Sequence, residues 1–161
     1  MPTILIVCTA NICRSPVAEA LLRRQLTALP IEAESWTVVS AGTWALIGRP
    51  PALYSQEMMR EHGLEVGDKR AQMITSGLMQ QADLVLCMEA GHAEALRVEF
   101  PADATKVYLL SEMVGLKYSI SDPYGGPREG YAAMFRELSR LLDEGLPRIV
   151  ALARAQAARR S

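Results

Sequence analysis

Ile4-Leu5-Ile6-Val7-Cys8-Thr9-Ala10-Asn11-Ile12-Cys13-Arg14-Ser15-Pro16-Val17-Ala18-Glu19-Ala20-Leu21-Leu22 decides the fold. Thr3–Val7 is apolar and rich in branched residues, the pattern of a strand buried on both faces. From Pro16 to Leu29 the pattern is helical, with Ala18, Leu22, Leu26 and Leu29 on one stripe, Leu21 beside it and Pro30 as the stop. A short loop joins the two. It starts at a sulfur, Cys8, and ends at a guanidinium, Arg14. The backbone N–H groups of Thr9, Ala10, Asn11, Ile12 and Cys13 lie between them.

That arrangement suits an anion. A helix N-terminus carries unpaired N–H donors and a partial positive charge, and phosphate binds there readily. Successive N–H groups in a tight turn form a concave anion site. Arg14 adds a planar fork for two phosphate oxygens. Ser15 is expected at the N-cap and Pro16 at the first helical position. Asn11 tolerates the left-handed backbone such a loop needs. The helix end and Arg14 together favour the thiolate form of Cys8. The Cys–Arg spacing alone is a weak signal. The full string between a strand and a helix is a far stronger one.

The rest of the chain sets bounds. At 161 residues it is expected to form one domain, residues 1–152, with a frayed basic tail at 153–161. A net charge of −1 gives no argument for nucleic acid or an anionic membrane. No apolar stretch approaches the ~20 residues of a membrane span, and no signal-peptide pattern is evident. A cytoplasmic protein is therefore expected. Three cysteines, Cys8, Cys13 and Cys87, do not make a disulfide framework, and two histidines without a Cys-x-x-Cys do not make a zinc site. No metal or cofactor is implied.

Strands are expected at Ser35–Val39, Ala82–Met88 and Thr105–Leu110. Helices are expected near Ala52–His62, after a cap at Thr75 or Ser76, over Ala90–Phe100, and from Tyr131 onward with Phe135, Leu138 and Leu142 on one face. Gly145 and Pro147 are candidate break points in the last helix. Alternating strands and helices predict an α/β fold: a parallel sheet with right-handed crossovers, ligands binding beyond the carboxyl ends of the strands. Cys8 is at such an end.

The segment Cys8–Pro16 resembles the C-x-G-N-x-C-R-S-P signature of the low-molecular-weight protein tyrosine phosphatases, with Ala10 where that family typically has Gly. Ser40-Ala41-Gly42, Asp83-Leu84-Val85-Leu86 and Asp122-Pro123-Tyr124-Gly125-Gly126 extend the resemblance over most of the chain. The resemblance implies a four-stranded parallel sheet with helices on both faces, and a phosphate-binding loop between the first strand and the first helix. It implies hydrolysis of protein phosphotyrosine through a cysteinyl-phosphate, with phosphorylated proteins as partners and a monomer or weak dimer. Cys8 is then the nucleophile, Arg14 the phosphate clamp and Ser15 a donor to the departing thiolate.

An acid must protonate the leaving oxygen. Asp122 is the best candidate, although Asp-Pro and Gly-Gly are also ordinary turn punctuation. The resemblance places the general acid in this Asp-Pro-aromatic segment. It also implies that Asn11 and Ser40 brace the loop, that Trp44 and Tyr124 wall the substrate cleft, and that Cys13 forms a reversible disulfide with Cys8. Lys69 stands where the family often has His, ahead of Ala71-Gln72-Met73-Ile74-Thr75, so the sequence leaves open whether that part of the brace is kept. Ala10 is expected to cost about 1–2 kcal/mol if its position needs positive φ. Cys87 is expected to be inert, and His62 and His92 to lie at helix surfaces or ends without a role.

Three other readings stand beside this one. Thiol-dependent arsenate reductases share the scaffold but need further cysteines, and Glu89–Pro101 has none. Phosphoarginine phosphatases often carry Thr where this chain has Ile12, an apolar wall suited to an aromatic ring. A silent phosphate-binding module would bind without turnover.

Overall fold

The computed structural model describes residues 1–29 and 36–160. The expected stop at Pro30 and the strand start at Ser35 lie outside the described residues. Strand β1 is Thr3–Cys8 and helix α1 is Arg14–Thr27. Next come β2 (Thr37–Gly42), α2 (Leu53–Glu61), α3 (Ser76–Gln81), β3 (Leu84–Cys87) and α4 (Ala90–Glu99). A 3-10 turn at Pro101–Lys106 leads to β4 (Val107–Leu109), a second at Leu110–Val114 follows, and α5 (Arg128–Arg160) ends the chain.

The four strands are parallel in the order β2-β1-β3-β4. Alternate residues of each strand feed opposite faces. Ile4, Ile6, Leu84 and Leu86 pack with residues of α1, α2 and α5, including Leu22, Met58 and Leu138. Leu5, Val7, Val85 and Cys87 pack against Met79 of α3 and Ala93 and Leu96 of α4. The sheet is covered on both sides, which is why β1 and β3 carry unbroken apolar runs. Register pairs Cys8 with Gly42 at the carboxyl end of the sheet.

The strands are shorter at β3 and β4 than expected, and Ser40-Ala41-Gly42 belongs to β2 rather than closing it. Thr75 is the cap of α3, its Oγ1 accepting from Leu78 N–H. The expected frayed tail is helical as far as Arg160, and residue 161 lies outside the described residues. Helix α5 runs 33 residues through Gly145 and Pro147 to Arg160, where Nη2 donates to Asp83 Oδ2 at 2.7 Å. Asp83 is buried and also accepts from Thr3 N–H, so the helix end is fixed beside the start of β1. Gly145 breaks nothing; it lets α5 approach Met113, whose Cβ would lie 2.7 Å from a Cβ at residue 145.

Gly42 lies against the loop that follows β1. A Cβ there would meet the carbonyl oxygen of Thr9 at 2.3 Å, a backbone atom that cannot swing aside. Gly42→Ala is expected to cost about 1–3 kcal/mol by overpacking and to weaken phosphate binding. Denaturant unfolding and phosphate titration of the variant check both.

Candidate active site

Around the loop Thr9–Cys13 the carbonyls of Cys8, Thr9, Ala10, Ile12 and Cys13 bond outward. Cys8 O accepts from Thr43 N–H, Thr9 O from Trp44 N–H, Ala10 O from Leu46 N–H, Ile12 O from Ala52 N–H, and Cys13 O from Ser55 Oγ. The loop N–H groups are thereby left to the concave side. The reversal is made at Asn11, the one non-glycine residue with positive φ (61°) among the described residues. Ala10 is therefore not strained, and replacing Gly there carries no left-handed penalty.

Asn11 is held by its side chain. Its Nδ2 donates to Ser15 Oγ (2.7 Å) and Ser40 Oγ (3.0 Å), and its Oδ1 accepts from Gln72 N–H (2.9 Å). Ser40 Oγ donates to Glu19 Oε1 at 2.7 Å. Lys69 Nζ lies 3.5 Å from Asn11 Oδ1, 3.4 Å from Ser40 O and 3.5 Å from Glu19 Oε1. The question at Lys69 is thereby answered: the ammonium reaches the same cluster, at long distances, and balances the buried Glu19 together with Arg23. A cleft of about 940 Å³ lies behind this brace, its wall including Glu19, Lys69 and Gln72 but neither Cys8 nor Arg14.

The helix start differs from expectation. Cys13 is the N-cap residue and makes no side-chain cap bond, while Arg14, Ser15 and Pro16 open the first turn. Ser15 is displaced from the cap because its hydroxyl is engaged elsewhere. It receives the Asn11 amide hydrogen, so its own hydrogen is free for Cys8 Sγ, 2.9 Å away. Pro16, third in the helix, still falls among the residues whose N–H has no intrahelical acceptor.

Arg14 is 1% exposed. Its Nη1 pairs with Glu89 Oε2 at 2.6 Å and donates to Ile120 O at 2.7 Å. Its Nη2 lies 3.3 Å from Thr9 Oγ1 and 3.4 Å from Asp122 Oδ2. Its Nε is buried with no hydrogen-bond partner. A buried guanidinium N–H left unmet is costly, and an oxyanion is the class of acceptor that would satisfy it. Asp122 sits at the rim, its Oδ1 accepting from Tyr124 N–H. Tyr124 and Trp44 are exposed, at 56% and 78%. Ile12, expected to wall the cleft, is 4% exposed and packs into the core, so it offers the cleft little surface.

Cys13 is buried, its Sγ 3.6 Å from Tyr131 Oη, and burial pushes its thiol up to about 11. Cys87 is fully buried and pushed up to about 12 by burial. His62 ends α2 and stacks on Phe135, ring centroids 4.1 Å apart. His92 lies at a helix end, as expected, and makes contacts there that the sequence does not mark. It is buried at the third position of α4, accepts Glu89 N–H at Nδ1 (3.2 Å) and places Nε2 2.8 Å from Thr9 Oγ1. Glu89, His92, Glu19 and Gln72 join the site without a sequence signal that marks them for it. A Glu three residues before a His at a helix start signals a cap and nothing more.

The chain matches the family model described as low molecular weight phosphotyrosine protein phosphatase over residues 3–157, and it belongs to that family. The "Probable low molecular weight protein-tyrosine-phosphatase EpsP" of Ralstonia nicotianae is 37% identical over 150 residues, covering 93% of this chain and 97% of the relative. The crystal structure of a low molecular weight protein tyrosine phosphatase from T. tengcongensis superposes with a TM-score of 0.85 at 36% identity, covering 92% of this chain and 99% of that one. The YwlE arginine phosphatase from Geobacillus stearothermophilus gives 0.84 at 34% identity, covering 94% of each chain.

Removing the brace tests the loop. Asn11→Ala leaves buried donors and acceptors on Ser40 and Gln72 unmet and is expected to cost about 1–3 kcal/mol. The loss should register as a lower denaturation midpoint, accompanied by weaker phosphate binding.

Proposed function

We propose that this protein is a cysteine-dependent phosphatase acting on phosphotyrosine in proteins. The observation that carries the reading is the constellation at the end of β1: Cys8 Sγ hydrogen-bonded to Ser15, loop carbonyls bonded to the segments outside, and a buried Arg14 with an unmet Nε–H.

The phosphoryl group sits over the loop, its equatorial oxygens held by the N–H groups of Thr9–Cys13 and by Arg14. Cys8 Sγ attacks phosphorus in line. The P–O bond breaks, and Asp122 gives its proton to the leaving oxygen. Charge on the equatorial oxygens meets donors already in place. In the second step the Asp122 carboxylate takes a proton from water, the water oxygen bonds to phosphorus, and the S–P bond breaks. The returning thiolate accepts the Ser15 hydrogen. Cys13 adds protection: a reversible disulfide with Cys8 would keep the nucleophile from over-oxidation.

Phosphotyrosine is favoured because both exposed aromatics are tied to the site. Trp44 N–H bonds Thr9 O, and Tyr124 N–H bonds Asp122. Two rings at the rim suit a third between them. The arginine phosphatase likeness supports phosphoarginine as the second reading, on unchanged chemistry. Partners are phosphorylated proteins, met in the cytoplasm by a monomer or weak dimer, with no nucleic acid involved. No helix among the described residues is long and apolar enough to cross a membrane.

Cys8→Ser is expected to abolish release of phosphate from phosphotyrosine peptides. Asp122→Ala is expected to lower kcat by about 10²–10⁴-fold. Matched phosphotyrosine and phosphoarginine peptides decide the substrate: faster Cys8-dependent release from phosphoarginine would overturn the phosphotyrosine reading and leave the mechanism standing. Mild peroxide treatment followed by mass spectrometry is expected to find a Cys8–Cys13 bridge; sulfinic acid at Cys8 would count against it.

A further inference from the structure

His92 and Thr9 form a pair that the reaction above does not use. The imidazole is buried, and its hydrogen placement follows from its partners. Nδ1 faces the N–H of Glu89 at 3.2 Å, a group that only donates, so Nδ1 carries no hydrogen. The ring hydrogen is then on Nε2, which points at Thr9 Oγ1 at 2.8 Å rather than at Glu89 Oε2 at 3.7 Å. The surroundings agree with a neutral ring. Burial lowers the His92 pKa, Glu89 and Asp122 pull it back up, and Arg14 lowers it again.

Thr9 Oγ1 also receives Arg14 Nη2–H at 3.3 Å. Both of its lone pairs are therefore occupied by donors. Its own hydrogen is left a third direction, away from both donors, and no hydrogen bond from it occurs among the described residues. Nη2 is the edge of Arg14 that also approaches Asp122. The hydroxyl thus stands on the side of the guanidinium where the phosphoryl oxygens and the leaving group converge in the proposed reaction.

Resting on that phosphatase reading, we propose that the Thr9 side chain is a further donor to the bound phosphoryl group, and that His92 is the positioning residue that aims it. The loop then holds the substrate with a side-chain hydroxyl as well as with backbone N–H groups and Arg14. His92 acts only through Thr9 and never touches the substrate.

The test compares turnover of p-nitrophenyl phosphate and binding of inorganic phosphate across variants of the full chain. Thr9→Val keeps the shape and removes the hydroxyl; kcat/KM is expected to fall about tenfold, and phosphate affinity with it. Thr9→Ser restores the hydroxyl and is expected to recover most of both. His92→Asn keeps an acceptor for Glu89 N–H but is too short to reach Thr9. It is expected to fold normally and to lose a similar factor, and the double variant with Thr9→Val should lose no more than either alone. Imidazole ¹⁵N–¹H NMR is expected to find His92 in the Nε2–H tautomer, its signal moving with added phosphate in the wild type and not in Thr9→Val.

Wild-type kcat/KM in Thr9→Val, losses that multiply in the double variant, or an Nδ1–H tautomer would each overturn the proposal. The two readings fail separately. Turnover that survives Cys8→Ser removes the phosphatase reading. The tautomer and its response to inorganic phosphate still judge the Thr9 hydroxyl.

Discussion

The guanidinium of Arg14 is the constraint on which the site rests. A permanent cation at 1% exposure is tolerated only if it is paired and its N–H groups are met. Glu89 supplies the charge, Ile120 O a neutral acceptor, and Thr9 and Asp122 stand at its other edge. The four partners come from three parts of the chain: Thr9 from the loop itself, Glu89 from the start of α4, and Ile120 and Asp122 from the segment between the second 3-10 turn and α5. Burying one side chain therefore fixes three segments around the mouth of the loop. Full satisfaction is withheld at Nε, on an arginine that also opens the first turn of α1. The fold leaves one strong donor unmet on the residue that opens the helix N-terminus.

Local rules make much of this legible in the amino-acid sequence. The strand–loop–helix reading of residues 3–27 needs only the apolar run, Asn11 and Pro16. A left-handed Asn11 is a property of the residue type, and the parallel sheet follows from alternating elements. The parts that stay hidden are long-range and polar. Glu19 looks like an exposed helical carboxylate until β2 brings Ser40 to it and the segment before α3 brings Lys69. Lys69 carries no local sign of its role, because its reach to Asn11 spans 58 residues of sequence. Glu89 and His92 have an ordinary local task, capping α4, which masks their contacts with Arg14 and Thr9. The tail misleads for the same reason: nothing in Ala153–Arg160 announces that Asp83 will be buried beside it and will pair with Arg160.

The loop is held from both sides of the sheet end. On the α1–β2 side a polar chain runs Glu19–Ser40–Asn11–Ser15–Cys8, and each link fixes the hydrogen of the next. On the β3–α4 side Glu89 and His92 anchor Arg14 and Thr9. Such double anchoring sets the donors before an anion arrives, and donors already in place need no reorganisation when charge develops. The carbonyls bonded outward serve the same end, because each one turned away leaves its neighbouring N–H facing the cup.

That rigidity bears on substrate choice. A loop fixed on both sides recognises the phosphoryl group and little beyond it, so selection between substrates falls to what stands above it. Ile12 contributes little to that selection, since its side chain is spent in the core. The exposed surface belongs to Trp44 and Tyr124, one bonded through its backbone to the loop and the other to Asp122. A flat ring carrying the phosphate gains apolar contact from both. A guanidino group gains cation–π contact from the same rings. The two candidate substrates are therefore separated by the balance of stacking against charge at two side chains, while the chemistry beneath them is common to both.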